Sequence, residues 1–463
     1  MIERRRRDRR VENKRINFRD RRRFDRRMNI NEFQNKIFSS RIRKNPDETR
    51  IVITGIGVVA PNGIGKDIFW DNLAKGLSGI KPISLFDTGP YNSKKAGEIT
   101  SFDPSRYLNK KGLRTLDRSA LLLGVATKLA MEDSKIKQDE FDSYDSGIVT
   151  GTSMGSVKSI SDFDKTALVE GPSCVNPALF PNTVISSPAS QVSIMFDIRG
   201  LNATISSGFC SSLDVVIYAH DSIILNKVNT IFVGSVEELC HQTFLGFYNS
   251  GCLSRGDFSN GSIEESMPFD KRRNGPVLGE GSGALIFEDL EHAKKRNAPI
   301  YGVLLGFGCA FNNRNSHQEG NNLDADAPVH AMKQALKSAN LNPADIDLIC
   351  ASSNSSPAGD RMETIAIKKV FANEAYKIPI TAVKSMLGEG YSVSGSFQIM
   401  AGLLAINKGI IPPTINFRET DPKCDLDYVI NKSKRAEVDN VMINTFSPHG
   451  NNVSLIIGRH DCL

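Results

Sequence analysis

Apolar residues in this chain fall into short runs separated by longer amphipathic stretches. The first run, Ile51-Val52-Ile53-Thr54-Gly55-Ile56-Gly57-Val58-Val59, has the pattern of a buried strand. Turn residues Pro61-Asn62-Gly63 follow, and then helical spacing to about residue 77. Strand-like runs recur at 146–151, 203–207, 230–234 and 284–287, and again at 303–308, 348–351, 380–382, 441–446 and 453–457. Helical periodicity lies between them, most clearly over 211–226. This alternation predicts α/β layers around a largely parallel sheet. Thr54-Gly55-Ile56-Gly57 and Leu305-Gly306-Phe307-Gly308 hint at an internal duplication. Gly55 and Gly57 also invite a dinucleotide-binding reading. That reading is weak, because no third glycine follows in place and Pro61-Asn62-Gly63 stands where the helix should open.

Charge divides the chain unevenly. Residues 1–50 carry 19 Lys/Arg against 8 Asp/Glu, a net of +11, while the remaining 413 carry 39 against 44, a net of −5. Basicity therefore belongs to an arm and not to the body. Through most of residues 1–28 Ile16, Phe18 and Phe24 are the available apolar anchors, too few for the stretch to fold alone. Two readings stand for this arm: an electrostatic contact for an acidic partner, or a solvated extension. Residues 29–47 read as a linker. Nucleic acid is a weak candidate partner, since the body is acidic and has no reader motif. No apolar run reaches the ~18 residues of a membrane span, and the first residues lack a signal-peptide pattern. The eight cysteines (174, 210, 240, 252, 309, 350, 424 and 462) include no C-x-x-C pair. A reducing, cytoplasmic setting is expected, with no metal site and no cofactor.

Five motifs, in order, carry a family resemblance. They are VITGIGVVAPNG near residue 52, MPFDKRRNGPVLGEGSGALIFEDLEHAKKRNAPIYG at 267–302, SSPAGDRMET at 355–364, VKSMLGEG at 383–390 and IPPTINF at 411–417. Together they resemble the β-ketoacyl-acyl carrier protein synthases of the thiolase superfamily. The resemblance implies an αβαβα sandwich of two pseudo-repeated halves, normally dimeric. The expected layout is an Arg-rich arm and linker at 1–49, an N-terminal half at 50–297 and a C-terminal half at 298–463.

The same resemblance implies an acyltransferase with a cysteine nucleophile at a helix N-terminus, two histidines and a supporting lysine. In this chain, counting back from Gly234 and Glu237 puts Phe209 at the nucleophile position, with Cys210 one residue late. Ser352 stands at the first histidine position and Glu389 at the second, while Lys384 remains. In the C-terminal loop the gating aromatic becomes Pro448, beside His449. The scaffold residues Asp270, Gly279, Glu280, Asp360 and Glu363 are present. Phenylalanine cannot form a thioester, and glutamate puts negative charge beside a developing enolate.

The chain thus resembles the chain-length factors of type II polyketide systems. Such a subunit is inactive alone, pairs with an active ketosynthase as a heterodimer, and shapes the acyl tunnel of a carrier-protein-dependent pathway. Candidate tunnel residues are Met154, Val157, Ile160, Phe209 and Pro448, with ordinary core packing as the other reading of Met154. The alternative is an active condensing or decarboxylating acyltransferase that uses Cys210 as nucleophile and His449 as base. The remaining histidines (220, 241, 292, 317, 330 and 460) match no catalytic position.

Overall fold

The structure, a computed structural model, describes residues 49–137, 141–256, 261–312 and 323–460. The arm, its linker, His317 and Cys462 lie outside the described residues. The first half runs β1 (Ile51–Ala60), α1 (Lys66–Ala74), α2 (Arg118–Asp133), β2 (Ser146–Gly151), α3 (Val157–Val169), α4 (Ser187–Phe196), β3 (Asn202–Ile205), α5 (Ser211–Ile224), β4 (Thr230–Glu237), α6 (His241–Asn249), β5 (Gly281–Asp289) and α7 (Leu290–Lys295). The second half runs β6 (Gly302–Phe311), α8 (Asp326–Ala339), β7 (Leu348–Cys350), α9 (Pro357–Phe371), β8 (Ile380–Thr381), α10 (Lys384–Leu387), α11 (Ser394–Lys408), β9 (Asn440–Phe446) and β10 (Asn451–Gly458).

These ten strands join in the order β3-β2-β4-β5-β1-β6-β10-β9-β7-β8, with Gly63–Ile64 added beside β1. If β6–β10 are taken as second copies of β1–β5, the order is a palindrome about the β1–β6 contact. The hinted duplication is therefore real. The sheet itself is mixed, which corrects the expectation of a largely parallel one. Only β2 with β3 and β4, and β7 with β8 and β9, run parallel; the other pairs are antiparallel. A parallel pair needs a crossover of a dozen or more residues. The four residues 447–450 between β9 and β10 allow only a hairpin.

The paired glycines serve packing. A Cβ on Gly57 would lie 1.9 Å from the Ala126 carbonyl oxygen, and one on Gly55 2.5 Å from that of Ala130, so α2 rests directly on β1. In the second half Gly308 and Gly306 meet α8 in the same way, at 2.2 Å from Ala331 O and 2.4 Å from Ala339 N.

Five layers result. Helices α2 and α4 cover the outside of one half-sheet, and α8 and α9 the outside of the other. Between the half-sheets α5 crosses α11. Every residue of α11 from Ser394 to Ile406 is buried, as a helix with protein on all sides requires. Gly395 permits the close crossing, since a Cβ there would meet Ser212 Oγ at 2.2 Å. The crossing brings the start of α5 beside the segment that leads into α11. No helix among the described residues is long and apolar enough to cross a membrane.

Candidate functional site

After β3 the chain turns sharply into α5. Gly208 takes a φ of 70°, open to glycine at little cost, and Phe209 and Cys210 complete a short 3₁₀ turn. These two consecutive residues face opposite ways. Phe209 walls a cavity of about 600 Å³. Cys210 is fully buried on the other side, where its Sγ–H donates to the carbonyls of Thr445 at 3.1 Å and Asn451 at 3.3 Å. Burial pushes its thiol up to about 12, so it holds its proton through the physiological range.

The second wall follows β7. Ser352 and Ser353 donate their backbone N–H groups to the carboxylate of Glu363 in α9, and Asn354 donates its own to Asp360 at 3.1 Å. Those two acids of the SSPAGDRMET motif thus shape the loop, and burial holds both above the usual carboxylate range. The Ser352 hydroxyl accepts from the Phe446 N–H at 2.8 Å.

The third wall is a buried ion pair. Lys384 is 3% exposed and Glu389 1%, and Lys384 Nζ donates to Glu389 Oε2 at 2.9 Å and to the Ser352 carbonyl at 2.7 Å. Glu389 also accepts from Asn354 Nδ2, the Tyr391 N–H and Ser394 Oγ. A carboxylate held by four donors is a strut. It is poorly placed to move a proton.

The fourth wall is the loop after β9. Pro448 and His449 reach the cavity, and the exposed imidazole of His449 stands perpendicular to the Phe209 ring at 6.4 Å. Phe209, Ser352, Glu389, Pro448 and His449, drawn from four sequence-distant segments, therefore line one cavity. Cys210 is not among its lining residues, so the alternative pair of Cys210 and His449 does not share it.

Met154, Val157 and Ile160 are half-buried and do not line the cavity either. Their segment lies behind the Phe209 turn, where Ser153 Oγ donates to the Gly208 carbonyl at 2.8 Å. The other expected scaffold acids brace the surroundings: Glu280 accepts from Arg118 at 2.6 Å, and Asp270 accepts the backbone N–H groups of Arg418 and Glu419. Among the remaining histidines, His292 meets buried Glu288 at 2.9 Å and His241 meets Tyr91 at 2.8 Å.

Several cavity residues escaped the sequence reading, chiefly Asn354, Tyr391, Phe247 and the exposed Cys252. Tyr391 lies two residues from Glu389 and was within reach of that motif. Phe247 and Cys252 carry no local signal, because they meet the site only through packing.

Two buried acids stand behind this wall at the end of β4. Glu237 is pushed up to about 7 by burial, and Glu238 to about 8 by burial and then by the nearby charge of Asp117. Glu238 accepts the Lys158 N–H at 3.2 Å at the start of α3. A carboxyl raised on folding binds its proton more tightly in the folded chain. Its contribution to stability is thus present below the ordinary value of 4.5 and is lost as pH rises towards about 8. Glu238→Gln keeps the acceptor oxygen. It is expected to leave stability nearly unchanged at pH 4.5 and to raise it by roughly 2–4 kcal/mol at pH 8.5. Urea midpoints at the two pH values read this, and equal shifts at both would count against a protonated Glu238.

Comparison with known proteins identifies the family of the chain. The family described as β-ketoacyl synthase, N-terminal domain, matches residues 48–293, and β-ketoacyl synthase, C-terminal domain, matches 301–418. A 3-oxoacyl-[acyl-carrier-protein] synthase 2 of Coxiella burnetii is 34% identical over 414 residues, covering 89% of this chain and 99% of that protein. The solved structure of the ishigamide ketosynthase/chain length factor is similar with a TM-score of 0.82 at 30% identity, covering 89% of this chain and 99% of that one. A type II PKS acyl-carrier protein complex with its ketosynthase bound to the hexaketide includes a similar chain. Its TM-score is 0.79 at 27% identity, with the same two coverages.

Proposed function

The chain belongs to the β-ketoacyl synthase family, and we propose that within it this is a non-catalytic, chain-length-factor-like subunit. It pairs with an active ketosynthase in carrier-protein-dependent chain elongation and shapes the cavity that holds the acyl chain. One observation carries the reading. The residue of the α5 turn that faces the cavity is Phe209, while the neighbouring thiol of Cys210 is buried, hydrogen-bonded and protonated. With Ser352 and Glu389 at the two histidine positions, the general acid–base contribution of about 10²–10⁴-fold in rate is absent as well.

Pairing is supported by the edge of the sheet. Strand β3 is outermost, with half-exposed residues. Leu179, Phe180, Val184, Ile185 and Ile194, in and before the neighbouring α4, are exposed. An unpaired edge beside exposed apolar residues favours a partner strand. A partner there would cover the Met154 segment, which gives Met154, Val157 and Ile160 their role in a shared tunnel. The Arg-rich arm would add long-range attraction for an acidic carrier protein, and the reducing cytoplasm suits the free cysteines.

The test is intact-mass analysis after incubation with an acyl-acyl carrier protein. The chain is examined alone and co-expressed with the ketosynthase encoded nearest to it. The expected result is an acyl adduct on the partner, none on this chain, and product only when both are present. An adduct on Cys210 would overturn the proposal.

A further inference from the structure

A second cavity, of about 470 Å³, is basic although the body around it carries a net negative charge. Four cationic side chains line it, Lys271, Arg273, Arg361 and Lys423, against the single carboxylate of Asp421; its other lining residues are apolar. Arg273 is buried between Asp421 at 2.7 Å and Asp360 at 3.6 Å, so its charge is compensated inside the fold and Asp421 is already committed. Lys271, Arg361 and Lys423 remain, each exposed or half-buried. Lys271 also meets Glu419, in an exposed ion pair that water screens and that contributes little. Three cations gathered at one opening raise the local positive potential and draw in an anion.

The position of the cavity indicates what kind of anion. Pro357 and Ala358, the first residues of α9, line both this cavity and the larger one of about 600 Å³. That turn is the ridge between the two, and Pro357 on it is exposed. The N-terminus of this helix of 15 residues adds partial positive charge at the ridge. A carboxylate, with one charge, leaves most of the cationic charge uncompensated. A phosphate carries more, and its oxygens can accept from a guanidinium fork and from two ammonium groups together. We propose that Lys271, Arg361 and Lys423 bind the phosphate of a phosphate ester whose tail crosses Pro357 towards the larger cavity. Two sources carry such a group, the phosphopantetheine arm of a carrier protein and a free nucleotide. The site does not depend on the chain being inactive; only the carrier source rests on the proposed reading.

The test is calorimetric titration of the full chain with 4′-phosphopantetheine, pantetheine and adenosine monophosphate. At low salt 4′-phosphopantetheine is expected to bind about tenfold more tightly than pantetheine, and added salt should shrink that preference. The double variant Arg361→Gln with Lys423→Gln should abolish it. Lys423→Gln alone, at an exposed position, should lose part of it and serves if the double variant folds poorly. Lys369→Gln removes an exposed cation of the same helix outside the cavity and should change nothing. Weaker binding of adenosine monophosphate would support the site with the carrier arm as its source. Equally tight binding, lost in the double variant, would support it with a nucleotide as the source. No phosphate preference in wild type, or one that the double variant keeps, would overturn the proposal. An acyl adduct on Cys210 would leave it standing, so the two readings fail separately.

Discussion

Lys384→Met is expected to destabilise the fold by about 3–5 kcal/mol, read as a lower denaturation midpoint at unchanged slope. Lys384 and Glu389 form an ion pair that is almost wholly buried, and removing the ammonium leaves a carboxylate in low dielectric with only neutral donors. Lys384 also holds the Ser352 carbonyl, so its loss loosens the wall that follows β7. The double variant Lys384→Met with Glu389→Gln removes both charges while keeping an acceptor oxygen for the Tyr391 N–H and the Ser394 hydroxyl, and should recover part of the loss. A single variant that costs under ~1 kcal/mol would show that the pair is not what holds these walls together.

Gly57→Ala should be worse, with a loss of about 5 kcal/mol or more and little soluble protein. The added Cβ would fall 1.9 Å from the Ala126 carbonyl oxygen and 2.5 Å from the Ala130 backbone nitrogen. Both atoms belong to the backbone of α2, so the helix itself has to leave the strand. Gly246→Ala in α6 is the control. A Cβ there meets nothing within 4 Å, and alanine should stabilise that helix by roughly 0.5–1 kcal/mol. Soluble yield and melting temperature of the two variants read the contrast. A Gly57→Ala chain that melts with wild type would remove packing as the reason for the paired glycines.

The fold was legible wherever the signal is local. Continuous apolar runs located β1, β2 and β4, because strands buried on both faces cannot afford polar alternation. The repeat of Thr54–Gly57 in Leu305–Gly308 announced the duplication, because two copies of one helix-on-strand contact need glycine at the same places. Strand direction was not legible in the same way. A run of valine and isoleucine looks alike in either sense, and only the length and course of each connection decide it.

At the site, residue types alone carried the main chemical point: a phenyl ring, a hydroxyl and a carboxylate stand where the family resemblance puts a thiol and two imidazoles. Which way Phe209 and Cys210 face depends on the turn held by Gly208 and on the carbonyls of Thr445 and Asn451, more than 230 residues away. Likewise, only packing brings Phe247 from α6 against Tyr391, and leaves that tyrosine's hydroxyl without a partner. The linear chain determined its elements, its duplication and the residue types at its site, since these depend on short-range periodicity and on which atoms each residue carries. Facing and adjacency were decided in three dimensions, because they arise from close-packed contacts between segments that share no local pattern.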